Sequence, residues 1–139
     1  MESGLTWLSL PADIASLQRF IQFVREGALA AGVPETGLGR LDLVVEEIVV
    51  NVARYAYPPD RPGAVEVGWA VAAPGRLLVS VCDCGVAYNP LHGPPPQFEA
   101  DLAAREVGGL GVFLVKNLTQ SVTYCRKGGS NVLSFVFLG

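Results

Sequence analysis

Glu47 and Asn51 stand four residues apart in the run Glu46-Glu47-Ile48-Val49-Val50-Asn51. On a helix that spacing projects both side chains from one face. A carboxylate there can take a proton from an incoming hydroxyl or water. The Asn51 oxygen can complete an octahedral magnesium shell otherwise made of waters and substrate phosphates. Further along, Asp83 ends the apolar run Leu77–Cys82 and precedes Cys84-Gly85, which puts a carboxylate at a strand end. It can accept a hydrogen bond from the amino group of adenine, where guanine carries an oxygen, and Gly85 lets the base approach the backbone. A third cluster, Gly108-Gly109-Leu110-Gly111-Val112, precedes Phe113, Leu114 and Val115. It reads as a helix opening whose free N–H groups and dipole favour phosphate. A base, a metal ligand, a purine reader and a phosphate cradle follow one another in an order that suits ATP.

Each segment also has a plainer explanation. Glu46, Glu47 and Asn51 suit a solvated helix face, Asp83-Cys84-Gly85 suits an Asp-x-Gly turn, and the glycines suit close helix packing. Arg105 and Lys116 are the nearest cations to the third cluster. Arg105 either reaches a terminal phosphate or is simply solvated.

The elements that must position these residues are legible from periodicity. Leu5–Leu10 alternates as a short strand, and Pro11-Ala12-Asp13 opens a helix with Asp13 in its first turn. Ile14, Leu17, Phe20, Ile21, Val24 and Ala28 form its apolar stripe, and Gly32-Val33-Pro34 ends it. A second helix is expected after the Gly37 and Gly39 interruption, with Leu41, Val44, Val45, Ile48 and Val52 buried, stopped by Pro58-Pro59. Strands follow near Val65–Val71 and Leu77–Cys82, joined by a turn at Ala73-Pro74-Gly75. The stretch from Asn89 to about Glu106 holds His92 and Pro94 to Pro96 and reads as a lid or a disordered segment. Gly109–Thr119 reads as a third helix. Strands near Val122–Arg126 and Val132–Phe137 flank a turn at Lys127-Gly128-Gly129-Ser130. The strands and helices do not alternate regularly, which counts against a Rossmann domain, and no Walker-A pattern occurs.

Composition narrows the function classes. The 139 residues, half of them apolar, suit one domain with a real core. No apolar run reaches the roughly 18 residues of a membrane span, and no basic-then-apolar leader is expected. The net charge is −3 without a basic cluster, which argues against nucleic acid. Cys82, Cys84 and Cys125 lack metal-ligand spacing. Cys82 and Cys84 are expected on one strand face as small apolar fillers, and a reducing cytoplasm fits three free thiols.

Taken together, the three segments resemble the GHKL ATPases and, among them, the anti-sigma-factor serine/threonine kinases. Glu47-x-x-x-Asn51 with Tyr55-Ala56-Tyr57 is similar to that family's N-box. Asp83-x-Gly85-x-x-Tyr88-Asn89 is similar to its first glycine box, and Gly108-Gly109-Leu110-Gly111 through Val115 to its second. The resemblance implies an α+β fold: a two-layer α/β sandwich of the Bergerat type with a mixed, mostly antiparallel sheet and three helices on one face. It implies one domain over 1–139 with a lid at about 89–107, binding ATP and Mg2+. Asn51 would hold magnesium, Glu47 would be the catalytic base, and Asp83 would read adenine. Gly85, Gly108, Gly109, Leu110, Gly111 and Val112 would complete the nucleotide site. It further implies a homodimer that phosphorylates a STAS-domain anti-anti-sigma partner and sequesters a sigma factor. Two positions depart from the family: Tyr55 stands where many members have His, and Asn89 where an Asp is common. The alternatives are a non-catalytic, ATP-dependent regulatory module, a detached histidine-kinase catalytic domain, or the same fold without nucleotide. The sole histidine, His92, lies in the proline-rich segment, away from any phospho-accepting helix.

Overall fold

The computed structural model describes residues 4–91 and 114–139. Its elements run β1 (Thr6–Pro11), α1 (Leu17–Ala31), α2 (Leu38–Tyr55), β2 (Ala64–Ala73), β3 (Arg76–Asp83), β4 (Gln120–Lys127) and β5 (Ser130–Leu138). Short 3-10 turns at Ile14–Ser16 and Glu35–Gly37 lead into the two helices. A further helical stretch covers 114–118.

The five strands form one sheet in the order β1-β2-β3-β5-β4. All four neighbouring pairs are antiparallel, so the parallel component expected of a mixed sheet does not occur among the described strands. For two of these pairs the reason is connectivity: β2–β3 and β4–β5 are hairpins, and antiparallel partners need only a tight turn. Of the three helices expected on one face, α1 and α2 are there. Of the third, expected at Gly109–Thr119, only 114–118 lies among the described residues, and Val115 within it joins the core.

Alternation decides which side of the sheet the helices cover. Val65 and Val67 of β2, Leu77, Val79 and Val81 of β3, and Leu133, Phe135 and Phe137 of β5 are buried. Against them pack Phe20, Val24 and Ala28 of α1 and Leu41, Val44, Val45, Ile48, Val49 and Val52 of α2, in the stripes that helical period predicts. Asp13 caps the turn into α1, its carboxylate accepting from the Ser16 amide at 3.0 Å. Gly27 of α1 lies against the Trp69 indole, which would stand 2.5 Å from any Cβ placed there. Arg25 and Asp42 pair across the two helices.

Three local expectations need correcting. Ile14, expected in the apolar stripe of the first helix, lies in the 3-10 turn before α1 and is exposed, because that tighter turn takes it off the buried face. Helix α2 begins at Leu38, so Gly39 lies in its first turn instead of before it. The Glu35–Gly37 turn has already set the helical direction, and that first turn carries N–H groups that lack intrahelical partners in any helix. Strand β3 ends at Asp83, so Cys84 is an exposed loop residue and does not share a strand face with the half-buried Cys82. None of the three cysteines is in a disulfide. Among the described residues no helix is long and apolar enough to cross a membrane.

Candidate functional site

Two inward rows that are otherwise apolar end on polar residues. Asp83 follows Leu77, Val79 and Val81 on β3, and Asn131 precedes Leu133, Phe135 and Phe137 on β5. Antiparallel register sets the two opposite each other. Both are 8% exposed, which requires partners for their polar atoms. The Asp83 carboxylate Oδ1 accepts from the Gly85 amide at 2.8 Å and from Asn131 Nδ2 at 2.9 Å.

These residues line a cleft between the last turns of α2 and the β3–β5–β4 side of the sheet. Ile48, Asn51, Val52 and Ala56 supply the α2 wall, and Val81, Asp83, Leu133, Asn131 and Tyr124 the sheet wall. Val86, Tyr88, Pro90 and Leu91 come from the segment after β3, and Val115 from 114–118. Mostly apolar walls with a few convergent polar groups are the usual construction of small-molecule sites. An apolar slot lined by a buried carboxylate can receive a flat apolar ring that carries a hydrogen-bond donor.

The loop after β3 is tied down residue by residue. The Tyr57 hydroxyl accepts from the Cys84 amide at 2.9 Å and donates to the Ala64 carbonyl at 2.6 Å. The Val86 amide donates to the Ala56 carbonyl at 2.9 Å. Gly85 is glycine because a Cβ there would lie 2.1 Å from that same Ala56 carbonyl oxygen. Backbone contact between α2 and this loop therefore excludes every larger residue.

Titration behaviour follows burial. Desolvation, reinforced by the Glu46 charge and opposed by Arg54, raises the Glu47 carboxyl above the ordinary carboxylate range. Burial, with Asp83, Tyr55 and Tyr124 adding to it, pushes the Tyr88 phenol well above its usual value, so it stays neutral. At the rim, Lys116 donates to the Leu91 carbonyl at 3.0 Å and Arg126 to the Gly85 carbonyl at 2.9 Å.

The sequence-derived candidates divide into three groups. Asn51 and Asp83 line the same cleft and Gly85 shapes its loop. Glu47 sits one turn before Asn51 on α2, half-buried, and is not among the lining residues. Gly108, Gly109, Leu110, Gly111 and Val112, with Arg105 and most of the lid at about 89–107, lie outside the described residues. Sequence reasoning overlooked Asn131, Tyr124 and Arg126. Their signal was available: a polar residue at an inward position of an alternating apolar strand, as at Asn131. Among the described residues no group of three His, Cys, Asp or Glu side chains could hold a metal. Asn51 alone fits only an ion that brings waters and phosphates as its other ligands, the habit of magnesium.

Comparison with known proteins bears on the family and the fold. The sequence profile of the histidine kinase-like ATPase domain matches residues 10–137. A serine/threonine-protein kinase, BtrW of Bordetella bronchiseptica, is 26% identical over 94 residues, covering 68% of this chain and 66% of that protein. The structure of the RsbU and RsbW domains of a Mycobacterium tuberculosis protein superposes with a TM-score of 0.64 at 18% identity, over 96% of this chain and 32% of that one. A blue-light activated histidine kinase of Erythrobacter litoralis gives 0.55 at 22% identity, over 93% of this chain and 42% of that one. At those identities the two structures speak to the fold alone. The chain thus spans just under two thirds of its curated relative and a third of the mycobacterial chain.

Proposed function

Because the chain belongs to the histidine kinase-like ATPase domain family, we propose that it binds ATP with magnesium in the α2–sheet cleft and transfers the terminal phosphoryl group to a serine or threonine. The substrate is a STAS-domain anti-anti-sigma protein. The chain also holds a sigma factor, works as a homodimer, and acts in the cytoplasm. The single observation that carries the nucleotide part is Asp83: a buried carboxylate lining an apolar cleft, with Asn51 on the same cleft's wall. The serine/threonine-kinase part draws on the similarity to a protein bearing that name.

Asp83 would accept from the adenine amino group, and the apolar walls would sandwich the ring. Asn51 would ligate magnesium, which when bound neutralises phosphate charge. Glu47, made more basic by its partial burial, would accept the proton of the partner hydroxyl as that oxygen bonds to phosphorus and ADP departs. Gly108, Gly109, Leu110, Gly111 and Val112 would line the phosphates. Calorimetry of ATP with and without magnesium tests the first part, with magnesium-dependent binding expected; absence of binding sinks it. Incubation with labelled ATP and a STAS-domain protein tests the second, with acid-stable phosphoserine or phosphothreonine expected. An acid-labile product would indicate histidine-kinase chemistry instead.

The position of Glu47 outside the cleft lining favours one second reading, a regulatory module that binds ATP without turning it over. That reading requires binding without any labelled partner.

A further inference from the structure

Asn131 has four hydrogen-bonding capacities, two amide hydrogens and two lone pairs. The structure uses all of them within the protein. Nδ2 donates to Asp83 Oδ1 at 2.9 Å and to the Val86 carbonyl at 2.8 Å. Oδ1 accepts from the Tyr124 hydroxyl and from Arg126 Nη1, the latter at 3.1 Å. The carboxylate and carbonyl can only accept and the guanidinium can only donate, so the amide has one possible orientation. Arg126 lies opposite Asn131 in register on β4, as Asp83 does on β3. The three form one rung across three strands.

This rung reaches the loop as well as the carboxylate. Arg126 Nη1 also donates to the Gly85 carbonyl at 2.9 Å. With the bonds from Tyr57, Ala56, Asp83 and Asn131, it leaves the 84–86 backbone held at Cys84 N, at both polar groups of Gly85 and at both of Val86. Two donors on one oxygen stop the Asp83 carboxylate from rotating. A ligand can gain nothing directly from a side chain whose capacities are spent.

We propose that Asn131, backed by Tyr124 and Arg126, is a positioning residue for base selection: it holds the Asp83 carboxylate and the 84–86 loop in the arrangement that reads an adenine, without giving a hydrogen bond of its own to the nucleotide. This rests on the reading of the cleft as an adenine-nucleotide site. Asparagine is required because aspartate, its isostere, would offer no donor to Asp83 or to the Val86 carbonyl. Asparagine also distinguishes this role from packing, since an apolar residue would satisfy the row formed by Leu133, Phe135 and Phe137.

The test is a double-mutant cycle on the full chain, with ATP and GTP affinities measured by calorimetry and melting temperatures recorded without nucleotide. Asn131→Ala lowers ATP affinity by about tenfold or more, the worth of a hydrogen bond to a charged group, and leaves weak GTP binding unchanged. In an Asp83→Ala background the same substitution costs no further ATP affinity, because its effect runs through Asp83. Arg126→Ala, at an exposed position on the edge strand, moves ATP affinity in the same direction by less and keeps the melting temperature. It carries the cycle if Asn131→Ala does not fold. Additive losses in the Asp83→Ala background, or equal losses for ATP and GTP, overturn the proposal. If wild type binds ATP and Asp83→Ala weakens this while Asn131→Ala and Arg126→Ala do not, the positioning role alone falls. If wild type binds no ATP, the nucleotide reading falls with it.

Discussion

Burial separates Glu47 from its neighbour Glu46, which is exposed. Its carboxyl is raised chiefly by desolvation, so in the native state it holds a proton at a pH where the unfolded chain has lost it. A group with a raised native pKa contributes stability that is fully present below the unfolded pKa and lost as pH rises through the native one. Glu47→Gln carries no charge to desolvate, so it removes that slope. Urea unfolding should show wild type losing ground to Glu47→Gln as pH rises from the ordinary carboxylate range; a pH-independent difference would contradict the burial of this carboxyl. In phosphotransfer assays Glu47→Gln should slow the reaction by about 10²–10⁴-fold with ATP affinity retained. Wild-type rates would remove Glu47 as the base. Asn51→Ala should abolish the magnesium dependence of ATP binding, and calorimetric titrations with and without the ion check it. The types and spacing of these residues could be read directly, whereas Asn131 showed only as a polar residue at an inward strand position. Its role depends on lying opposite Asp83 across a strand pairing that joins residues 48 positions apart.

At the scale of elements, the end of α2 and the loop after β3 behave as one unit. Tyr57 follows α2, yet its hydroxyl bridges the start of β2 and the Cys84 amide. Its ring lies where a Cβ on Gly63 would stand 2.2 Å away. Tyr57→Phe removes both hydrogen bonds and leaves the Cys84 amide short of an acceptor, an expected cost of about 1–3 kcal/mol, read from denaturant midpoints. Gly85→Ala forces a methyl group into the Ala56 carbonyl, so the loop must shift. About 1–3 kcal/mol of stability should be lost, and ATP affinity should fall because the Asp83 carboxylate loses its Gly85 partner; an unchanged affinity would show that the loop does not shape the site. Strand and helix positions follow from alternation and from the 3.6-residue stripe, and the observed bounds lie within a few residues of them. The start of α2 was misplaced because glycine was read as a breaker where a preceding turn had already committed the chain.

At the scale of the whole molecule, α1 and α2 close a single core against one sheet face, with Phe20, Phe135 and Phe137 fully buried. Phe135→Ala should cost about 3–5 kcal/mol, a large part of the roughly 5–15 kcal/mol that stabilises a domain of this kind. Thermal melts check this, and a shift of only a degree or two would contradict the packing. The cleft opens at the margin of that core, where Val52, Val81 and Leu133 serve both the packing and the cleft wall. A ligand seated there therefore bears on core residues.

By itself the sequence determined which residues carry acid, amide and glycine functions, which stretches form helices and strands, and the family these motifs resemble. Those are local properties, set by residue type and by periods of 2 and 3.6 that need no partner. The tertiary structure alone decided that Asp83 is buried and held from the side by Asn131, that Gly85 touches the end of α2, and that Glu47 stands beside the cleft and not on its lining. It also decided that every pairing in the described sheet is antiparallel. Register across strands and the approach of a helix end to a loop are relations between distant residues, and no local pattern encodes them.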